Sequence, residues 1–174
     1  MPDVWLINGI PGSGKTTTAR ALAARLPRAA HIEGDRLQDF IISGSVSPGG
    51  QPPAEEERQI HLNVRNQCLL AVSFSKDEIT PIIDYVIINR DRVEEYRGQL
   101  RGLTLHLVTL APGIPVALER DKKRPEKTVA HFWMHLDEVM RAELNGMGLQ
   151  VDNSSLTLEE TVNYILAQRE QAKV

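Results

Sequence analysis

The chain has 174 residues, with 20 Lys plus Arg against 23 Asp plus Glu, a net charge of −3 and 41% apolar residues. That length suits a single domain, residues 1–174, able to bury roughly two-thirds of its unfolded surface without a structural metal, and a lone cysteine excludes an internal disulfide. The acidic balance argues against a broad nucleic-acid surface, no run approaches the ~18 apolar residues of a membrane helix, and the chain opens almost directly on a strand, so we expect no signal peptide, no membrane partner and a cytoplasmic protein.

The apolar run Val4-Trp5-Leu6-Ile7 predicts a buried strand over residues 4–8, and a helix is expected over 15–26. Between them lies Gly9-Ile10-Pro11-Gly12-Ser13-Gly14-Lys15-Thr16, which fills every required position of the phosphate-binding pattern G-x-x-x-x-G-K-[ST]. Glycines let the backbone curl with its N–H groups inward, and the following helix adds the positive end of its dipole. Lys15 is then the residue to neutralise the β- and γ-phosphates, and the Thr16 hydroxyl the one to sit on Mg²⁺. The nucleotide site is read as Gly9, Ile10, Pro11, Gly12, Ser13, Gly14, Lys15, Thr16 and Thr17, with ATP and Mg²⁺ as the implied cofactors.

A second strand is expected over 30–33, with His31 as a structural residue, followed by Glu33-Gly34-Asp35-Arg36-Leu37 and a helix over 36–43. In open parallel sheets the ligand crevice lies at the carboxyl ends of the strands, which places Asp35 beside the phosphates. A carboxylate there can accept the proton of an attacking hydroxyl or hold Mg²⁺ through water; its bland alternative is to cap the next helix. Residues 44–53, rich in Gly, Pro and Ser, are expected to be an exposed, mobile loop, either a plain surface excursion or a flap over an acceptor pocket. A helix over 54–75 follows, in which Cys68 reads as a buried structural thiol.

The next strand is expected over 80–88 and contains Asp84. An acid in so apolar a run is costly unless paired or near a metal, so Asp84 is a candidate for Mg²⁺ binding, with a structural role as the alternative. Asn89-Arg90-Asp91 does not make a guanine-recognition motif. After a helix over 92–100, a strand over 104–110 and a helix over 114–120 comes the charged run 119–127. Within it Arg120 and Arg124 are spaced i, i+4 and would share a helix face, suited to bidentate phosphate contacts. His131 and His135 on the next helix, 128–144, lack the glutamate that a H-E-x-x-H zinc site needs. A last strand over 149–152, the turn residues Asp152-Asn153-Ser154-Ser155 and a helix over 158–172 complete the chain. The alternation of strands and helices predicts an α/β fold, a parallel sheet with helices on both faces.

Together these motifs resemble the small P-loop kinases of the nucleoside-monophosphate-kinase-like group, above all chloramphenicol phosphotransferase-like proteins. The likeness spans residues 7–16, 33–37, 82–86, 120–129 and 151–162. Gly34–Leu37 is also similar to gluconate kinase, and Gly34-Asp35 to adenylylsulfate kinase. The resemblance implies a three-layer P-loop NTPase fold with five parallel strands in the order 2-3-1-4-5. It also implies a helical lid, about 119–135, that carries arginines, and an acid equivalent to Asp35 acting as base or orienting the acceptor. Residues 43–75 show no specificity pattern of these families, so the acceptor is not carried over.

The leading expectation is an ATP-dependent phosphotransferase acting on a hydroxyl of a small antibiotic-, sugar- or nucleoside-like molecule. Lys15, Asp35, Arg120 and Arg124 would be catalytic, and Thr16 and Asp84 would serve the metal. A polynucleotide 5′-hydroxyl kinase and a nucleotide-binding regulatory module are the alternatives; nucleic acid is not the expected partner. Either a monomer or a homodimer is compatible with the sequence.

Overall fold

A computed structural model describes residues 3–123 and 134–174. The expected catalytic Arg124, His131 and most of the expected lid therefore lie outside the described residues.

Five strands form one sheet, β1 (Val4–Asn8), β2 (Ala29–Glu33), β3 (Thr80–Asp84), β4 (Leu105–Leu110) and β5 (Leu149–Val151). All neighbours are parallel and the order is β2-β3-β1-β4-β5, as the resemblance implies. Among the described residues seven helices accompany it: α1 (Lys15–Arg25), α2 (Gly34–Gln38), α3 (Pro53–Lys76), α4 (Arg90–Gln99), α5 (Ile114–Lys122), α6 (His135–Glu143) and α7 (Leu158–Ala167). None is long and apolar enough to cross a membrane.

The two faces of β1 explain why its residues are apolar almost without interruption. Val4 and Leu6 join Ile83, Leu105 and Leu107 in a core closed by α3 and α4 through Val64, Cys68, Ala71, Val93 and Tyr96. Trp5 and Ile7 join Ile82 and Val108 in a second core closed by α1 and α7 through Ala19, Leu22, Val162 and Ile165. A strand buried on both sides has no solvated face to alternate with, and each fully buried aliphatic side chain contributes about 1.5–3 kcal/mol.

Three elements end earlier than their apolar pattern suggests. β3 stops at Asp84 rather than at 88, because the Asn8 side chain takes over its pairing: Oδ1 accepts from Ile87 N at 2.7 Å and Nδ2 donates to Ile87 O at 2.9 Å. α2 spans five residues, after which Phe40 and Ile41 make turn bonds to Leu37 and Gln38. α7 ends at Ala167, because the remaining chain folds back along the start of β4, the stretch that the short β5 does not reach, where Leu107 N donates to Ala172 O at 2.7 Å and Val174 N to Leu105 O at 3.1 Å.

Candidate active site

The phosphate loop leaves the carboxyl end of β1 and enters α1, as its sequence requires. Gly12 has φ +82, and a Cβ there would lie 2.1 Å from Ala117 O in the backbone of α5, so only glycine lets the loop pack this closely. Ser13 N donates to Ile10 O at 3.1 Å and Thr18 N to Gly14 O at 2.9 Å, which closes the curl and starts the helix. Lys15 is buried, and its Nζ donates to Ile10 O at 3.3 Å, so the ammonium lies over the loop. Thr16 is half-buried and Thr17 exposed in the first turn of α1.

The loop is clamped from the β4–α5 and β5–α7 sides. Arg120, near the end of α5, donates through NH1 to Ser13 O at 3.4 Å and through NH2 to Asn153 O at 2.9 Å. Asn153, buried in the turn after β5, donates through Nδ2 to Ser13 O at 3.0 Å. The expected arginine is thus at the loop, and Asn153, in a turn read both as turn chemistry and as a border of the nucleotide, fastens it.

Asp84 is the last residue of β3, paired in register with Ile7 of β1 and Glu33 of β2. It is 2% exposed, and its Oδ2 lies 2.6 Å from His31 Nε2. Ile7 and Ile82 belong to the core under α1, so the Asp84 carboxylate lies on the side of the sheet from which Lys15 and Thr16 start. Glu33, its neighbour on β2, is engaged by Arg20 at 3.3 Å and Arg36 at 3.8 Å. A buried carboxylate and a hydroxyl at the head of α1 are the hard oxygen donors that Mg²⁺ takes alongside nucleotide phosphates, so the residues present fit that ion.

Asp35 lies on α2, exposed at the same edge of the sheet. Its position depends on Gly34, where a Cβ would fall 2.4 Å from Tyr85 Cδ2 and 2.7 Å from Gln67 Nε2. Below it runs a buried polar chain: Asn63 Nδ2 donates to Gly34 O at 2.9 Å, Gln67 Nε2 donates to Asn63 Oδ1 at 2.8 Å, and the Tyr96 hydroxyl donates to Gln67 Oε1. Burial pushes the Tyr85 hydroxyl up to about 12, and the Asp35 charge adds to the shift. Buried chains of this kind hold a backbone tightly because each unmade bond is expensive.

The loop at 44–53 is pinned rather than free. Gln59, buried on α3, donates to Gly44 O at 2.8 Å and accepts from Val46 N at 2.8 Å, while Glu56 accepts from Gly49 N at 2.6 Å. His61 is absorbed by surface pairing, 2.9 Å from Glu57 and 2.8 Å from Glu95. Cys68 is buried as expected, and desolvation followed by the nearby Glu95 charge raises its thiol to about 12. Asn8, Asn63, Gln67 and His31 escaped the motif reading; a polar residue at a helical or strand position otherwise reserved for the core was their signal.

Comparison with known proteins adds a family and a fold. An AAA domain family matches residues 4–170. A thymidylate kinase of Ruegeria pomeroyi is 31% identical over 65% of this chain and 57% of its own length. The chain spans about half the length of the curated relatives it matches, 57% and 50%. A sugar kinase structure from Janibacter superposes with TM-score 0.73 at 17% identity, covering 99% of this chain and 96% of that one. The tunicamycin resistance protein of Deinococcus radiodurans superposes with TM-score 0.69 at 24% identity, covering 100% and 99%.

Proposed function

The chain belongs to this AAA domain family, and from that premise we propose that it is an ATP-dependent phosphotransferase that moves the γ-phosphoryl group to a hydroxyl of a small molecule, working as one domain. The observation that carries the reading is the shared edge of the sheet: the phosphate loop with Lys15 and Thr16 ends β1, and an exposed carboxylate, Asp35, follows β2 on the same side. The likeness to a thymidylate kinase supports a kinase reading.

In this reading the loop N–H groups and Lys15 hold the phosphates, and Arg120 neutralises charge as it builds on the transferring group. Arg124 is proposed as a second cation for the same charge. The acceptor oxygen attacks the γ-phosphorus, the bond to the β-phosphate oxygen breaks, ADP leaves, and the acceptor proton passes to Asp35. Thr16 and Asp84 are the residues that would hold Mg²⁺, which would supply charge neutralisation to the nucleotide phosphates.

The test is ATP consumption against a panel of antibiotics, sugars, nucleosides and 5′-hydroxyl oligonucleotides, with the acceptor-free rate subtracted. Stimulation by one small-molecule class is the expected result. ATP binding with no stimulation by any acceptor would turn the reading toward a regulatory nucleotide-binding module, and stimulation by oligonucleotides alone toward a polynucleotide kinase. With the responding acceptor, Asp35→Asn should lose about 10²–10⁴-fold in turnover and still bind ATP; unchanged turnover removes Asp35 as the base.

A further inference from the structure

His31 sits in β2, opposite Ile82 in the register with β3, and reaches diagonally to Asp84. The 2.6 Å contact is between His31 Nε2 and Asp84 Oδ2, with the two side chains 14% and 3% exposed. A carboxylate accepts only, so the imidazole presents Nε2–H to it. The other acid at this level, Glu33, is turned to Arg20 and Arg36.

Compensating a buried acid is one use for such a contact, but an apolar residue at position 84 would serve burial alone better. Pro81, Ile82 and Ile83 before it are all buried without any polar partner to satisfy. The acid stands instead at the last paired residue of β3, one strand away from the phosphate loop and on the α1 side of the sheet. A carboxylate that touches an ion's water shell works only when its orientation is fixed, and hydrogen bonds from behind are what fix it.

We propose that His31 is a positioning residue for the metal of Mg·ATP: its imidazole holds Asp84 Oδ2 and leaves the second carboxylate oxygen to accept from water bound to the ion. The inference rests on the reading of Asp84 as the metal-facing acid. It assigns His31 no contact with substrate, so removing it changes how well the metal is held rather than how the loop binds nucleotide.

The probe is Mn²⁺, followed by electron paramagnetic resonance as it binds to the protein loaded with a non-hydrolysable ATP analogue. His31→Leu should weaken Mn²⁺ binding about tenfold and leave metal-free binding of the analogue unchanged. His31→Gln, whose amide N–H can reach the same oxygen, should recover most of that loss. Wild-type Mn²⁺ affinity in His31→Leu, or equal weakening in the Leu and Gln variants, overturns the proposal, and a fall in melting temperature without a change in Mn²⁺ affinity assigns the pair to stability alone. Asp84→Asn is the parallel variant. If it binds Mn²⁺ as wild type does, Asp84 does not face the metal and the inference fails with it, while phosphoryl transfer by the wild-type protein still judges the kinase reading separately.

Discussion

At the nucleotide end of the sheet edge, strand, loop and helix are consecutive in the chain, and the shape is set by backbone: Gly12 pressed against Ala117 O, and Ser13 O held by Arg120 and Asn153. At the other end, where the proposed acceptor would meet it, Asp35 is placed by side chains far away in sequence, through Tyr85, Asn63, Gln67 and Tyr96. A site made of local backbone must repeat its motif wherever it occurs. A site made of long-range side-chain bonds can change partners while keeping its carboxylate.

Two glycine substitutions separate the ends most sharply. Gly12→Ala forces a residue with a Cβ to φ +82 and 2.1 Å from a backbone oxygen, and we expect ATP affinity to fall about 10²-fold, given strain of about 1–3 kcal/mol before the clash is counted. Gly34→Ala meets the Tyr85 ring and the Gln67 amide instead. It should displace Asp35 and lower kcat/KM by up to about 10²-fold while ATP affinity stays within about twofold. Calorimetric titration of ATP alongside acceptor kinetics reads both, and equal damage to both quantities by either variant would break the comparison.

This contrast also explains what could be read from the chain alone. The phosphate loop and the parallel sheet with its helical layers were legible, because each depends on residue type at short spacing. The ends of β3 and α7 were not. β3 is terminated by Asn8, 79 residues away from Ile87, and α7 by a tail that pairs with β4. Nor was the anchoring of loop 44–53: its composition is that of a free loop, and the bonds that hold it come from Gln59 on α3. His31 was expected to be structural, but its partner Asp84 is set by the register of β2 with β3 and by nothing local to it in sequence.

A smaller effect tests the clamp. Asn153→Ala removes the 3.0 Å bond to Ser13 O and should lower stability by about 1–3 kcal/mol with a modest loss of ATP affinity. Arg120 still reaches the same oxygen at 3.4 Å, so the loop keeps part of its support. Urea titration of the free and ATP-bound protein measures both. If Asn153→Ala weakened acceptor use and spared ATP binding, the clamp would belong to the wrong end.

On the Asp35 side, Gln59→Leu deletes the bonds to Gly44 O and Val46 N, 2.8 Å each. The expected outcome is faster proteolytic cleavage within residues 44–50, with ATP affinity unchanged. A loop as resistant as in the wild type would mean that its own turns, not α3, hold it.

The effect that is smallest at neutral pH concerns the core that both ends share. Burial, with the Glu95 charge behind it, moves the Cys68 thiol from 9.0 to about 12. Its folded value therefore lies above its unfolded one. Stability from the protonated thiol is complete below pH 9 and is lost as pH rises toward 12, because the unfolded chain releases its proton first, with a slope of at most about 1.4 kcal/mol per pH unit. Native protein at pH 8 should react with a thiol reagent only as fast as it opens. Cys68→Val, which keeps an apolar side chain beside Val64 and Ala71, should flatten the alkaline stability profile without shifting turnover at neutral pH. Rapid labelling of the native thiol would show that the α3 side of the sheet opens more readily than the packing of α3 on β3 implies, and the acceptor end would then differ from the nucleotide end in rigidity as well as in construction.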